Sequence, residues 1–158
     1  MKNFNKPKSE YEEKVIQVDR VCRTVKGGRR MSFRVLVAIG NKKGKVGIGT
    51  AKGTEVLVAV NKAIAQAKKH MIEVPIVNDT IPHEVKIFLG STILFMKPAA
   101  QGTSLIAGSS VRTILDLAGI KNVLTKIIGS SNKINNARAT ILALEGMQKE
   151  AKEPMKKQ

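Results

Sequence analysis

Tryptophan is missing from this chain of 158 residues, aromatic residues make up 3%, and Cys22 is the one cysteine. A lone cysteine excludes an intramolecular disulfide and suits a reducing compartment. The five aromatics are Phe4, Tyr11, Phe33, Phe88 and Phe95. That is too few for a module that reads single-stranded bases by stacking. Phe33, Phe88 and Phe95 lie in apolar runs and are expected in the core. Acids are also scarce, 12 against 28 Lys and Arg. No apolar run approaches the roughly 18 residues of a membrane span. The first eight residues have no apolar stretch behind their charges, so no signal peptide is expected. These absences predict a soluble, cytoplasmic protein.

Catalytic and metal chemistry is equally thin. His70 and His83 have no second ligand at metal spacing, and read as a helix-end charge and a surface or interface residue. The acids stand singly or in the Glu10, Glu12, Glu13 patch, with no pair suited to acid–base work. The glycine-rich segment Gly44 to Thr54 runs from strand to helix and invites a nucleotide-loop reading. Its spacing fails: Gly49 is followed by Thr50 and Ala51, not Lys and Ser or Thr, and Gly47, Gly49 and Gly53 miss the dinucleotide interval. Backbone amides and Lys52 meeting an RNA phosphate explain the same residues more simply. No catalytic residue, metal or cofactor is expected.

What the chain has is positive charge. Its formal net charge is +16 and its hydrophobic fraction of 42% is enough to build real cores. Such an excess causes self-repulsion unless a polyanion neutralises it. Residues 1–74 hold 17 basic and 6 acidic side chains, and residues 75–158 hold 11 and 6. The densest cluster is Arg20, Arg23, Lys26, Arg29, Arg30 and Arg34, with no acid between them and Gly27-Gly28 at the centre. Unpaired charges of this number cannot be buried. The glycines let the chain turn tightly and approach a partner closely. A phosphate backbone is the partner these residues fit. Lys62, Lys68, Lys69 and Lys149 read as solvated helix faces, while Arg112 and Arg138, on apolar-striped helices, are candidates for RNA or for a protein neighbour.

Periodicity predicts two modules. In the first, strands over Val15 to Thr24, Met31 to Ile39 and Lys45 to Ala51 precede a helix from Gly53-Thr54-Glu55 to about His70. Met31, Phe33, Val35, Val37 and Ile39 fall on one face of the second strand, and Ser32 and Arg34 on the other. The turn over Gly40 to Gly44 carries Lys42 and Lys43. Gly47 and Gly49 share a strand face, so another backbone, or RNA, is expected close to it. Thr54 is the expected helix cap, and Val56, Leu57, Val60, Ile64 and Ala67 its apolar stripe. The second module has strands over Glu84 to Leu89, Thr92 to Lys97 and Asn122 to Ile128. It also has a helix capped by Ser109 or Ser110 and stopped by Gly119, and a last helix from Ile134 to about Met147. The expected organisation is a flexible segment 1–12, a first domain 13–74, a linker 75–82, a second domain 83–147 and a flexible tail 148–158.

These segments resemble the small-subunit ribosomal protein five family. Arg20-Val21, Thr24 to Arg29 and Ser32-Phe33 look like its first hairpin. Gly44 to Gly49, Ala51-Lys52 and Glu55-Val56 look like its third strand and helix start. Pro98-Ala99, Gly102-Thr103, Ile106 to Gly108, Val111-Arg112, Leu115, Ala118 to Ile120 and Asn122 to Leu124 are similar to its second domain. Gly129-Ser130, Asn132, Asn135 and Arg138 to Thr140 are similar to the start of its final helix. The resemblance implies an α+β protein. Its first domain would be a three-stranded antiparallel sheet with one helix, like double-stranded-RNA-binding domains, and its second an α/β domain with a left-handed βαβ unit and two helices.

It further implies a structural, non-enzymatic part in the small ribosomal subunit, bound to rRNA and beside small-subunit proteins four and eight. It would lie near the channel where mRNA enters and support decoding accuracy. The expected rRNA-binding residues are Arg20, Arg23, Thr24, Lys26, Gly27, Gly28, Arg29, Arg30, Arg34, Lys42, Lys43, Lys45, Lys52, Ser130, Asn132 and Arg138. Gly102, Thr103, Ser104 and Arg112 are the expected protein interface. Ser104 and Ser109-Ser110 stand where the family often has glycine, and Leu57 where proline is common.

Overall fold

The computed structural model describes residues 10–152, with side chains through residue 148. The outer parts of the two expected flexible segments, 1–9 and 153–158, lie outside the described residues. The first sheet has the order β1-β2-β3-β4, all antiparallel: β1 (Glu12–Val25), β2 (Gly28–Gly40), β3 (Lys45–Gly53) and β4 (Met71–Glu73). Helix α1 (Val56–Lys69) lies between β3 and β4 in sequence. The second sheet has the order β5-β6-β8-β7, from β5 (Val85–Leu89), β6 (Thr92–Pro98), β7 (Leu105–Ile106) and β8 (Val123–Gly129). Helix α2 (Ser109–Ala118) joins the parallel pair β7 and β8, and α3 (Lys133–Lys152) closes the chain. The fold is α+β with two domains. Against expectation, the first sheet gains β4 as a fourth strand, and α3 runs five residues beyond Met147.

β2 decides how the molecule is layered. Its run Val35 to Ile39 is apolar without interruption, and both faces are buried. Val35, Val37 and Ile39 pack on Ala59, Ala63 and Ala67 of α1. Leu36 and Ala38, on the opposite face, enter a larger core with Leu94 and Met96 of β6, Leu115 and Leu117 of α2, and Leu144 of α3. The expected single apolar face is therefore half of the truth. An alternating strand has one wet face, whereas a continuous apolar run belongs between two layers.

The glycines of β3 explain how α1 comes so close. A Cβ at Gly47 would lie 2.6 Å from the Ala67 carbonyl oxygen, one at Gly53 2.9 Å from the Ala59 nitrogen, and one at Gly49 would run into the Ala63 carbonyl. The backbone expected near this strand face is the helix itself, not RNA. The buried stripe of α1 is correspondingly Ala59, Ala63 and Ala67, flanked by half-buried Val60 and Ile64. Val56 and Leu57, expected inside, point outward, Leu57 with 75% of its surface exposed. Alanines spaced four apart present a flat face that a glycine strand can meet at backbone distance. The N-cap is Glu55 and no side chain caps the helix, so the cap expected from Thr54 is not made.

The two domains also share backbone bonds. The N–H groups of Lys42 and Gly44, in the β2–β3 turn, donate to the carbonyls of Leu117 (2.9 Å) and Ala118 (2.8 Å) at the end of α2. Carbonyls at a helix end have no partner inside the helix, and the turn supplies two. Gly119, at φ +94, ends α2 as expected: its N–H reaches the Leu115 carbonyl (3.1 Å), as does that of Ile120 (3.1 Å).

Candidate nucleic-acid interface

The first hairpin projects away from both cores. From about Arg20 to Arg30 nearly every residue is exposed, and the strands stay in register from Asp19↔Arg34 to Val25↔Gly28. The loop is Lys26-Gly27, and Gly28 adopts φ +150, a conformation that favours glycine. Register sorts the cations by face. Arg23 lies opposite Arg30, and Lys52 opposite Arg34, on the face that continues Leu36 and Ala38. Arg20, Arg29, Met31 and Phe33 belong to the other face. A shallow cleft of about 200 Å³ on the first face is lined by Val21, Cys22, Arg23, Ser32 and Lys52.

One acid serves this region, and it sits at the base. Asp19 Oδ2 accepts from Arg34 Nε (3.2 Å) and Nη2 (2.8 Å), and Oδ1 accepts from Gln17 Nε2 at 2.6 Å. Among the described residues, Arg20, Arg23, Lys26, Arg29 and Arg30 pair with no carboxylate. Like charges facing each other across a strand pair are destabilising. The Arg23–Arg30 pair is therefore a cost in the free protein that an anion placed between them would relieve.

The bond from Arg34, then that from Gln17, holds the Asp19 carboxyl below its ordinary value of 3.8, and the Lys133 charge adds to this. The native carboxyl gives up its proton more readily than the unfolded one. Its stabilisation is thus complete above the unfolded value and is lost as pH falls through the lower native value. An NMR titration should place the Asp19 midpoint below 3.8, and Arg34→Gln should raise it. A midpoint unmoved by that substitution would refute the pairing.

The other expected RNA residues are spread widely. Lys42 and Lys43 lie in the turn just past the far end of β2, whose twelve steps from Gly28 to Gly40 span roughly 40 Å at a strand rise of about 3.3 Å. There Lys42 pairs with Glu12 (2.6 Å) and Lys45 with Glu73 (3.2 Å), which raises both ammonium pKa values. No single phosphate group can bridge the hairpin tip and this turn. Thr24 is on the exposed hairpin, and Arg138 is exposed on α3. Ser130 and Asn132 build the start of α3: Asn132 Oδ1 accepts from the Ile134 N–H at 3.0 Å, and Ser130 Oγ accepts from the Asn132 N–H at 3.2 Å.

The expected protein interface has a conformational signature. Gly102 is at φ +90 and Ser104 at φ +66, where glycine is the easier residue. Ser104 is held there by its N–H to Asn122 Oδ1 (3.1 Å). Arg112 donates to the Leu105 carbonyl at 2.8 Å from an exposed position beside Ser104. Phe88, expected in the core, is 62% exposed on the outer face of the second sheet, with Lys86 Nζ 5.3 Å from its ring centre. The signal was the alternation of Lys86 and Phe88, two residues on one strand face. Among the described residues no cluster of three His, Cys, Asp or Glu could hold a metal, and no helix is long and apolar enough to cross a membrane.

Comparison with known proteins decides the family. Residues 11–75 match the model of the ribosomal protein S5 N-terminal domain, and residues 88–157 that of the S5 C-terminal domain. The chain belongs to the ribosomal protein S5 family. It is 52% identical over 136 residues to the small ribosomal subunit protein uS5 of Thermotoga neapolitana, covering 86% of this chain and 76% of the relative. The uS5 of a Picosynechococcus species is 50% identical over 142 residues, covering 89% and 82%. The uS5c of Guillardia theta is 48% identical over 147 residues, covering 90% and 87%. The S5 family is structural and not enzymatic, and S5 membership accounts for a basic protein without catalytic groups.

Proposed function

We propose that this protein is a structural constituent of the small ribosomal subunit, bound to rRNA through its basic hairpin. The observation that carries the reading is the projecting strand pair whose Arg20, Arg23, Lys26, Arg29 and Arg30 have no acidic partner among the described residues. Guanidinium and ammonium groups there meet phosphates and 2′-hydroxyls, so affinity comes mostly from counterion release and specificity from the folded shape of the RNA. Lys52, on the Arg23 face, extends the same surface. In this reading the domains are 13–74 and 83–147, joined by 75–82. The loop of Gly102, Thr103 and Ser104, with Arg112, meets small-subunit protein four, and protein eight is a second neighbour. The ribosome-bound protein then lies by the channel where mRNA enters and supports decoding accuracy.

The test is co-sedimentation with small subunits, together with rRNA affinity across a salt series. With ~6–10 phosphates engaged, affinity should fall by about three to five decades between about 50 and 200 mM salt. A shallow dependence would refute the electrostatic mechanism. Equal affinity for any long RNA duplex, with the protein absent from the ribosome fraction, would instead favour a free-standing duplex-binding regulator.

A further inference from the structure

The outer face of the second sheet is open. Register sets its side chains in cross-strand rows: Phe88, Ile93 and Ile128, then Lys86, Phe95 and Lys126, then Lys97, Leu124 and Ile106. α2 and α3 pack on the other face, where Leu94, Met96 and Val123 meet Leu115 and Leu144 in the larger core. Ile93 and Phe95 belong to neither core, and Phe88 (62%), Ile106 (52%), Ile128 (48%) and Leu124 (37%) are exposed. An antiparallel sheet with one wet face normally turns polar side chains toward water. Single apolar residues on a surface need no explanation. Here they adjoin one another across β5, β6, β8 and β7, and a contiguous patch marks a binding surface.

The charges on the face say what it binds. Lys86, Lys97 and Lys126 are exposed among these side chains, and the rows hold no acid. An occupant that complements them carries carboxylates as well as apolar groups. RNA fits less well. Ile93, Ile106, Leu124 and Ile128 have no ring on which a base could stack, and the Phe88 ring already has Lys86 Nζ 5.3 Å from its centre. The ends of the chain have the wrong sign, since residues 1–9 hold three lysines and no acid, and residues 153–158 two lysines and one acid. A second copy would set the same lysines against each other across a two-fold axis. Lys86 and Lys126 flank Phe95 from the strands on either side of β6, two strand spacings or roughly 10 Å apart. That is about the diameter of an α-helix with its side chains.

We propose that this face is a docking surface for an acidic amphipathic helix of another protein. The helix lies along β6, its apolar stripe on Phe88, Ile93, Phe95 and Ile128 and its flanking carboxylates against Lys86 and Lys126. The proposal is independent of the rRNA-binding reading, which uses the hairpin of the first domain.

The probe is a synthetic helix-forming peptide of about 18 residues, roughly 27 Å when helical, with a leucine stripe flanked by glutamates. A second peptide keeps the stripe and replaces the glutamates by lysines. Each is titrated into the full chain while backbone amides are followed by NMR. The glutamate peptide should give saturable shifts confined to β5, β6 and β8, and the lysine peptide none. Lys86→Glu with Lys126→Glu should weaken the glutamate peptide about tenfold and let the lysine peptide bind. Phe88→Ser with Ile128→Ser should abolish binding while the urea midpoint and the rRNA affinity stay nearly unchanged, because both side chains are exposed.

Shifts confined to residues 20–30 would mean that the peptide reads only the charge of the hairpin, and would overturn the site. Equal binding of the two peptides would overturn the acidic occupant. Loss of rRNA affinity in Phe88→Ser with Ile128→Ser, or shifts at Phe88 and Phe95 on adding oligouridine, would place RNA on this face instead. Concentration-dependent dimerisation in sedimentation, lost in the same variant, would make a second copy the occupant and overturn the proposal equally.

Discussion

Alanine at Arg23, Lys26, Arg29 and Arg30 together should lower affinity for small-subunit rRNA roughly a thousandfold at about 0.15 M salt. The figure assumes four lost phosphate contacts, each worth about 0.9 in the slope of log K against log salt. The slope itself should flatten by about three to four. Folding should be untouched or slightly favoured, since these side chains are exposed and Arg23 faces Arg30 across the strands. Affinity by filter binding over a salt series, beside urea unfolding of the same variant, separates the two effects. Unchanged rRNA affinity would remove the hairpin from the interface whatever the fold does.

Gly49→Ala should act in the opposite way, on stability rather than on binding. The added methyl group would strike the Ala63 carbonyl and lie 2.8 Å from the Ala67 nitrogen, both backbone atoms of α1. Helix backbone cannot swing aside as a flexible side chain can. Overpacking of this kind costs about 1–3 kcal/mol and occasionally more, and contact with backbone puts Gly49 at the upper end. The urea midpoint should fall accordingly, with rRNA affinity of the folded fraction nearly unchanged. If the substitution left stability intact and weakened RNA binding, the glycine face would belong to RNA after all. Gly27→Ala serves as a control, because a Cβ there meets nothing within 4 Å.

The two substitutions also separate what was legible in the residues from what was not. The cation cluster needs no partner element to be recognised, because six bases without an interleaved acid cannot be buried wherever the chain goes. Gly119 was legible for a similar reason: a helix stop is set by residues within one turn of it. The glycines of β3 were harder. Their spacing announced a close approach, and nothing local said whether α1 or RNA made it. The turn over Lys42 and Lys43 was the most misleading element. It reads as one more basic loop, yet it is the joint between the domains, and Glu12 neutralises Lys42 from thirty residues away.

By itself, then, the order of residues determined the three helices and the strands other than β4 and β7, the basic hairpin and the family. All of these follow from contacts close in sequence or from motifs read in line. Only the tertiary structure decided that β2 is enclosed on both faces, that alanines rather than Val56 and Leu57 form the inner stripe of α1, and that Phe88, Ile93 and Ile128 line up on an open sheet face. Side-chain periodicity tells which face of an element avoids water. What lies against that face is fixed by packing between distant segments, and no local pattern encodes it.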